Sequence, residues 1–239
     1  MTQSTQEKLF SIPRLRGYTS LAEHEANFAL IGLISHKIGI LAVVIRNQID
    51  SVLLEQVGDW WQDLPPSIKI SGERTSFIQS EIYPGIEITL KTTGDISHVT
   101  PTTLTSKQSM GFWLKVVEYF KIYDKIFNPS FLNALDFKRY YHANKNRFND
   151  TKDLRHHQKA KILLQLLRNL RNRAFHFENL YKYTPKGDPR LSTKITNYKG
   201  DQELYVALHP DKIPIFLDDL LRSFAPELVG YASGGKGST

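Results

Sequence analysis

Apolar residues recur along the chain mostly at three- and four-residue steps, which is the spacing of an α-helix with one buried face. The first such segment covers residues 20–57, and Ser20 with Glu23 at its start forms a pair typical of a capped helix N-terminus. Helical spacing returns in four later segments, at residues 106–127, about 130–147, about 154–182 and 210–229. The pattern therefore predicts a mostly α fold.

The remaining segments follow other patterns. Residues 58–105 are broken by proline and glycine, which favours an irregular excursion. Alternating residues at 194–198 and 203–208, on either side of a Lys-Gly-Asp turn, predict a small β-hairpin. The glycine- and serine-rich residues 230–239 are expected to form a mobile tail. We expect a single domain over 1–239, without the strand–helix alternation of a nucleotide-binding parallel sheet.

One apolar segment, Phe28–Ile45, has about the length of a membrane span. Two features argue against that interpretation. His36 and Lys37 lie at its middle, where a charge is costly in lipid, and two glycines interrupt it. The N-terminal residues also lack the apolar core of a signal peptide. A buried helix in a cytoplasmic protein without membrane association is the favoured interpretation.

Charge is concentrated in one part of the sequence. The chain carries a net charge of +7, whereas residues 138–182 hold twelve Lys or Arg against three Asp or Glu, so they carry +9 and the rest carries −2. Four of the eight histidines lie in the same segment. Such a segment attracts phosphate backbones, although a solvated helix face has the same composition. The absence of cysteine excludes disulfides and thiolate chemistry, and we expect neither a metal site nor a cofactor.

The most informative segment is LLQLLRNLRNRAFHFENLY, residues 163–181. At about 100° per residue, Asn172 and His176 share one helix face and Arg171 lies at its edge. Arg168 and Arg173 each lie one turn before a member of this group. The opposite side of the helix is apolar and is formed by Leu163, Leu166, Leu167, Leu170 and Ala174. The polar residues are thus predicted to stand on a packed helix, which is a more rigid support than a loop.

These residue types suit RNA cleavage, because RNA supplies its own nucleophile, the 2′-hydroxyl beside the scissile phosphate. His176 can exchange a proton near neutral pH, as a general base or acid. Arg171 can hold the phosphate with two donors, and Asn172 can orient the imidazole or a phosphate oxygen. Arg168 and Arg173 are candidate RNA-binding residues. Each chain offers only one such histidine, so a two-fold dimer is expected to supply both an acid and a base.

Arg46 and Asn47, near the end of the first helical segment, are further candidates for RNA binding. One interpretation is a second phosphate contact. The other, which we favour, is an arginine that binds backbone carbonyls near a helix end.

Four segments together resemble one known family. They are Val44–Asn47, Ser109–Leu114, Leu170–His176 and His209–Leu221. The third contains Arg-Asn-x-x-x-His, which resembles the signature of the HEPN superfamily, and the order of all four is similar to that of its Abi-like, or abortive-infection, family. The sequence departs from the family pattern at Phe177, where members often carry a second histidine or another polar residue. Residues 65–105 carry no resemblance.

The resemblance implies an HEPN-type helical bundle that forms a homodimer through the motif helix. It further implies a metal-independent endoribonuclease, acting in phage defence or as a toxin, that cleaves single-stranded RNA or tRNA. Some members of the family pair with a small regulatory RNA or a protein antitoxin. Two alternatives remain open. The chain could be a non-catalytic RNA-binding protein that holds a structured RNA, or an antitoxin-like interaction protein.

Overall fold

The computed structural model describes residues 3–58, 60, 105–148, 152–197, 199–200 and 202–234. These residues are mostly helical and include two short antiparallel hairpins, so the predicted mostly α fold with a small β insertion is confirmed. Most of the predicted excursion at 58–105 lies outside the described residues.

The helices follow one another along the described chain with these bounds. They are α1 (Gln3–Phe10), α2 (Ile12–Leu15), α3 (Leu21–Val57), α4 (Met110–Phe120), α5 (Tyr123–Ile126), α6 (Pro129–Ala134), α7 (His156–Phe175), α8 (Ile213–Phe224) and α9 (Leu228–Ala232). Single 3₁₀ turns cover Phe137–Arg139 and Pro210–Lys212.

The chain divides into two compact units. The first comprises residues 1–41 and 130–239, and the second comprises residues 42–129. Helix α3 contributes residues to both of them. This division was not foreseen from the sequence, because the apolar pattern runs without a break through the boundary within α3.

Helix α3 matches its predicted bounds, and its Glu23 N–H donates to the Ser20 hydroxyl (3.1 Å), as the capping pattern predicts. By length and composition this helix could cross a membrane, and 33% of its most apolar window is buried inside the protein. Lys37, at the middle of the apolar segment Phe28–Ile45, is mostly buried and its Nζ lies 2.6 Å from Asp218 Oδ1 of α8. An ion pair within the first unit thus accounts for a lysine in an apolar helix.

Helix α7 carries the motif and lies in the first unit. Its five predicted apolar residues are all buried, which confirms the predicted face. On another side, Asn169 Nδ2 donates to the Ser192 carbonyl (2.9 Å), and Gln165 accepts from Thr193 Oγ1 (2.5 Å). Near its start, the Lys159 Nζ donates to carbonyls at the end of α6, which are those of Leu132 (2.7 Å), Leu135 (3.2 Å) and Asn133 (3.4 Å).

The two hairpins consist of β1 (Arg147–Phe148) with β2 (Lys152–Asp153), and β3 (Ser192–Thr196) with β4 (Glu203–Ala207). In the second, Ser192 pairs with Ala207 and Thr196 with Glu203, and the first strand begins and ends two residues before the predicted 194–198. The first hairpin was not predicted, and the expected helix at 130–147 is wrong beyond Ala134, where α6 ends. Side-chain amides explain the difference, because buried Asn144 donates to the carbonyls of Phe137 and Ala207 (both 2.8 Å) and so holds the chain in a non-helical course.

In the second unit, the predicted 106–127 helix is divided into α4 and α5 because Lys121 adopts a left-handed conformation (φ 55°). The Ser109 hydroxyl caps α4 by accepting from Phe112 N–H (3.2 Å). Trp60 is buried and its Nε1 donates to Asp50 (2.9 Å), as expected of a core residue.

At the other end of the chain, α9 includes Gly230–Ala232 and buries Ala232, so the first residues of the predicted mobile tail are helical. Residues 235–239 of that tail lie outside the described part of the chain.

Candidate functional site

The motif helix ends at Phe175, seven residues before the predicted end at 182. His176 is its C-cap, and two hydrogen bonds close the end in the pattern of a Schellman motif. Phe177 N–H donates to the Ala174 carbonyl (3.0 Å), and Glu178 N–H donates to the Arg173 carbonyl (2.9 Å). His176 therefore stands where the helix stops and the chain turns away, and its side chain is exposed.

Phe177 occupies the position in this motif that glycine usually fills. Its φ of 52° is left-handed, which costs a side chain with a Cβ about 1–2 kcal/mol. The ring of Phe177 stacks on Phe28 of α3, with centroids 5.2 Å apart and planes at 24°. Contact with α3 within the first unit thus offsets the local strain and fixes the turn that follows His176.

The polar residues of the preceding turns contact one another. Arg171 Nη1 donates to Asn172 Oδ1 (3.2 Å), and the Arg171 guanidinium lies 5.4 Å from the centroid of the Phe175 ring. Asn172 is exposed, whereas Arg168 and Arg171 are half-buried. The Asn172 amide is therefore engaged with the neighbouring arginine in this chain, and the His176 N–H donates to the Asn172 carbonyl (3.0 Å).

Arg173 forms an ion pair with Glu178. Its Nη1 lies 3.4 Å from the Glu178 carboxylate, and only 20% of its side chain is exposed. Burial lowers the pKa of the Arg173 guanidinium. The negative charge of Glu178 raises that pKa in part, and the positive charge of Arg190 lowers it further. The ion pair spans the Schellman turn and joins the last turn of α7 to the segment after it.

His176 lines a cavity of about 350 Å³ in the first unit. Three cationic side chains line it as well, those of Arg14, Lys182 and Arg190, whereas the one carboxylate, Glu178, is paired with Arg173. The rest of the lining is formed by Gly17, Tyr18, Phe177 and Asn179. The cavity is thus predominantly positive, with two aromatic rings and one imidazole. Arg168, Arg171, Asn172 and Arg173 do not line it.

Two asparagines hold the walls of this cavity together. Asn27 is fully buried; its amide nitrogen donates to the Tyr18 hydroxyl (3.1 Å) and the Glu178 carbonyl (3.2 Å), and its oxygen accepts from Leu180 N–H (2.8 Å). Asn179 donates to the Gly17 carbonyl (2.9 Å) and to Glu23 (2.6 Å). The segment after α2 and the segment after α7 are thereby fixed side by side.

Tyr18 is the hydroxyl-bearing residue in the cavity wall. Burial raises the pKa of its phenol, and the charge of Arg14 opposes part of that rise. The hydroxyl is therefore neutral at physiological pH and keeps a proton that it can donate.

Arg46 and Asn47 belong to the second unit. Arg46 Nη1 donates to the Ser106 carbonyl (3.3 Å), and its Nε donates to Asn47 Oδ1 (3.3 Å). Arg46 therefore binds a backbone carbonyl of the segment before α4, and both interpretations drawn from the sequence remain predictions.

The three cationic residues of the cavity were not identified from the sequence, and neither was Glu178. Arg14 lies outside the cationic segment, and Lys182 and Arg190 flank a loop rich in proline and glycine. The sequence feature that could have indicated this site is the pair of cations, Lys182 and Arg190, on either side of that loop. Among the described residues, no group of three or more His, Asp or Glu is placed to hold a metal ion.

Comparison with known proteins gives no relative, because no protein-family model, no curated protein and no solved structure matches this chain.

Proposed function

We propose that the protein is a metal-independent endoribonuclease of the HEPN type, acting in phage defence or as a toxin on single-stranded RNA or tRNA. The observation that carries the proposal is the position of His176. Its exposed imidazole lines a cavity whose other charges are mainly cationic, so an acid–base group stands where a phosphate would be attracted. His176 follows the last turn of α7, and the buried face of that helix holds the position of His176.

The proposed reaction is attack by the RNA on its own backbone. A base removes the proton of the 2′-hydroxyl, and its oxygen forms a bond to phosphorus while the bond to the 5′-oxygen breaks. An acid protonates that leaving oxygen, and the products are a 2′,3′-cyclic phosphate and a 5′-hydroxyl. His176 serves as base or acid, and Arg171 stabilises the charge that gathers on the phosphate oxygens. Asn172 positions Arg171 by accepting a hydrogen bond from its guanidinium (3.2 Å).

One imidazole cannot act as base and acid in the same step. We therefore propose that two chains form a homodimer through α7, with an isologous interface that brings two copies of His176 and Arg171 together. The proposal accommodates the observation that Arg171 and Asn172 do not line the cavity of their own chain.

That same observation favours a second candidate function, a non-catalytic RNA-binding protein. If His176 only contacts RNA within the cationic cavity, Arg171 need not be near it. Such a protein binds RNA with an affinity that falls steeply as salt rises, and it cleaves nothing.

The test uses labelled single-stranded RNA in EDTA. Wild-type protein should produce fragments with a 2′,3′-cyclic phosphate, and His176→Ala should lower the rate by about 10²–10⁴-fold because the acid–base group is lost. Arg171→Lys should also fail, since an ammonium cannot replace a planar two-point grip. His36→Ala is the matched control, because His36 is an exposed histidine on α3 outside the cavity. Undiminished cleavage by His176→Ala would contradict the catalytic assignment.

A second experiment tests whether RNA cleavage accounts for the effect of the protein in cells. Phage protection or growth arrest, whichever the host displays, should disappear in the double variant of Arg171 and His176. If the double variant remains as protective or toxic as the wild type, the biological effect arises from another surface. Binding of RNA without cleavage by the wild type would instead support the second candidate function.

A further inference from the structure

Three cations in the cavity have no anionic partner among the described residues. Ion pairs in the first unit neutralise several other cations, among them Lys37, Arg139, Arg173 and Lys194. No ion pair or side-chain hydrogen bond of the described residues involves the side chain of Arg14, Lys182 or Arg190. All three are exposed and face the same cavity. Like charges gathered in one place repel one another, and an anion between them removes that repulsion.

The main chain imposes the proximity of two of these cations. The Arg190 N–H donates to the Lys182 carbonyl (2.9 Å), and Tyr183 and Pro189 form the next rung of the same loop. Thr184 N–H closes the loop by donating to the Asp188 carbonyl (2.8 Å). Lys182 and Arg190 are therefore held opposite each other by backbone bonds that do not depend on the side chains.

The third cation comes from the other end of the chain. Arg14 belongs to α2, and the Gly17 carbonyl just after it is bound by Asn179. Tyr18, next in sequence, is bound by buried Asn27. The segment that carries Arg14 is thus fixed beside the segment that leads to Lys182.

We propose that Arg14, Lys182 and Arg190 form a phosphate subsite that holds an RNA phosphate next to the one on which His176 acts. The identity of the ligand as RNA rests on the proposed function. The cavity volume, about 350 Å³, falls in the range of sites for small ligands and has room for about one nucleotide. Tyr18 and Phe177 in its wall offer ring faces for the base of that nucleotide. The substrate segment is therefore single-stranded, since a paired base cannot enter alone.

The binding experiment uses a fluorescent 2′-O-methyl RNA of mixed sequence, which cannot be cleaved by 2′-hydroxyl attack. Arg14→Gln, Lys182→Gln and Arg190→Gln are each expected to weaken binding about tenfold or more. Each should also reduce the slope of log K against log salt by about 0.7, the value for one phosphate contact on a single strand.

Matched controls separate this subsite from general charge. Arg16→Gln removes the same charge two residues from Arg14, and Lys186→Gln removes one within the loop that carries Lys182 and Arg190. Neither residue lines the cavity, so both variants should keep the wild-type salt slope and affinity within about twofold. If the cavity variants bind no more weakly than these controls, the subsite is wrong.

Two further measurements identify the source of the phosphate. Inorganic phosphate and uridine 3′-monophosphate are titrated as competitors of the labelled RNA. Competition by the mononucleotide at millimolar concentration, lost in Arg190→Gln, agrees with the subsite. A mononucleotide that binds more tightly than the RNA, and does so only with the cations intact, would assign the cavity to a free nucleotide and overturn the RNA assignment.

Failure of this inference is distinguishable from failure of the proposed function. Wild-type protein that cleaves RNA while the three variants bind as the controls do would overturn only the subsite. Wild-type protein that never cleaves, while the three variants lose affinity and salt slope, would overturn only the nuclease.

Discussion

The Asn27 amide gives the sharpest prediction about how the cavity is held together. Asn27→Ala should lower the free energy of unfolding by about 2–3 kcal/mol. Leu180 is 2% exposed, so its N–H loses the acceptor that it has among the described residues without gaining water, at a cost of about 1–3 kcal/mol. The Glu178 carbonyl loses a donor as well, which adds to the cost. The higher helix propensity of alanine returns roughly half a kcal/mol.

Native-state hydrogen exchange measures this loss of stability at the Leu180 N–H. A loss of about 2 kcal/mol at Leu180 corresponds to roughly 30-fold faster exchange of its N–H. In urea, with a dependence of about 2 kcal/mol per molar, the unfolding midpoint should fall by about 1 M. Asn47→Ala is the matched control, because Asn47 is an exposed asparagine of the same helix. Its effect should stay within about 0.5 kcal/mol.

Equal behaviour of the two variants would contradict this prediction. A Leu180 amide that stays as protected in Asn27→Ala as in Asn47→Ala would mean that the long-range amide contact carries no free energy. Asn27 would then not hold the cavity walls together, whatever the chemistry of His176.

Three further predictions concern other parts of the first unit. Lys159→Met should lower the free energy of unfolding by about 1–3 kcal/mol, because carbonyls at the end of α6 lose a charged donor; equal urea midpoints would contradict this. Burial raises the pKa of the Tyr140 phenol, so the stability tied to its neutral form is fully present below about pH 10 and is lost above it. Tyr140→Phe should therefore move alkaline unfolding, followed by circular dichroism, to higher pH, and an unchanged midpoint would count against the assignment. Mixing His176→Ala with Arg171→Ala chains should restore some cleavage if one composite site forms in a dimer, whereas an active protein that sediments as a monomer would exclude that arrangement.

The helices that follow from the sequence are those whose apolar residues keep one period over many turns. Helix α3 and the buried face of α7 are examples, because burial of a continuous stripe outweighs local preferences. The second hairpin follows for a similar reason, since its alternating residues flank a turn containing Gly200. These elements depend on contacts that the local pattern already encodes.

Two of the misplaced helix ends share one cause. Lys121 and Phe177 are left-handed without being glycine, so neither position carries the usual sequence signal of a helix end. Their conformations are set by surrounding structure, for Phe177 by its stacking on Phe28.

The cavity could not be foreseen for a related reason. Its cations come from residues 14, 182 and 190, and the side-chain amides of Asn27 and Asn179 bring those segments together. The spacing of apolar residues along the sequence does not predict such long-range contacts. His176 is a candidate that the sequence alone suggests, whereas the surface it faces depends on the tertiary fold.

The hydrogen bond between Asn179 and the Gly17 carbonyl joins residues 162 positions apart, and this separation has a consequence during synthesis. A ribosome adds roughly 5–20 residues per second, so about 10–30 seconds pass between translation of the two walls. Until then the wall that carries Arg14 and Tyr18 lacks the facing segment that carries Lys182 and Arg190, and no nascent chain that ends before Asn179 can close the cavity. A product released early lacks the surface that His176 faces, so the order of translation itself delays assembly of the proposed active site until most of the chain has been made.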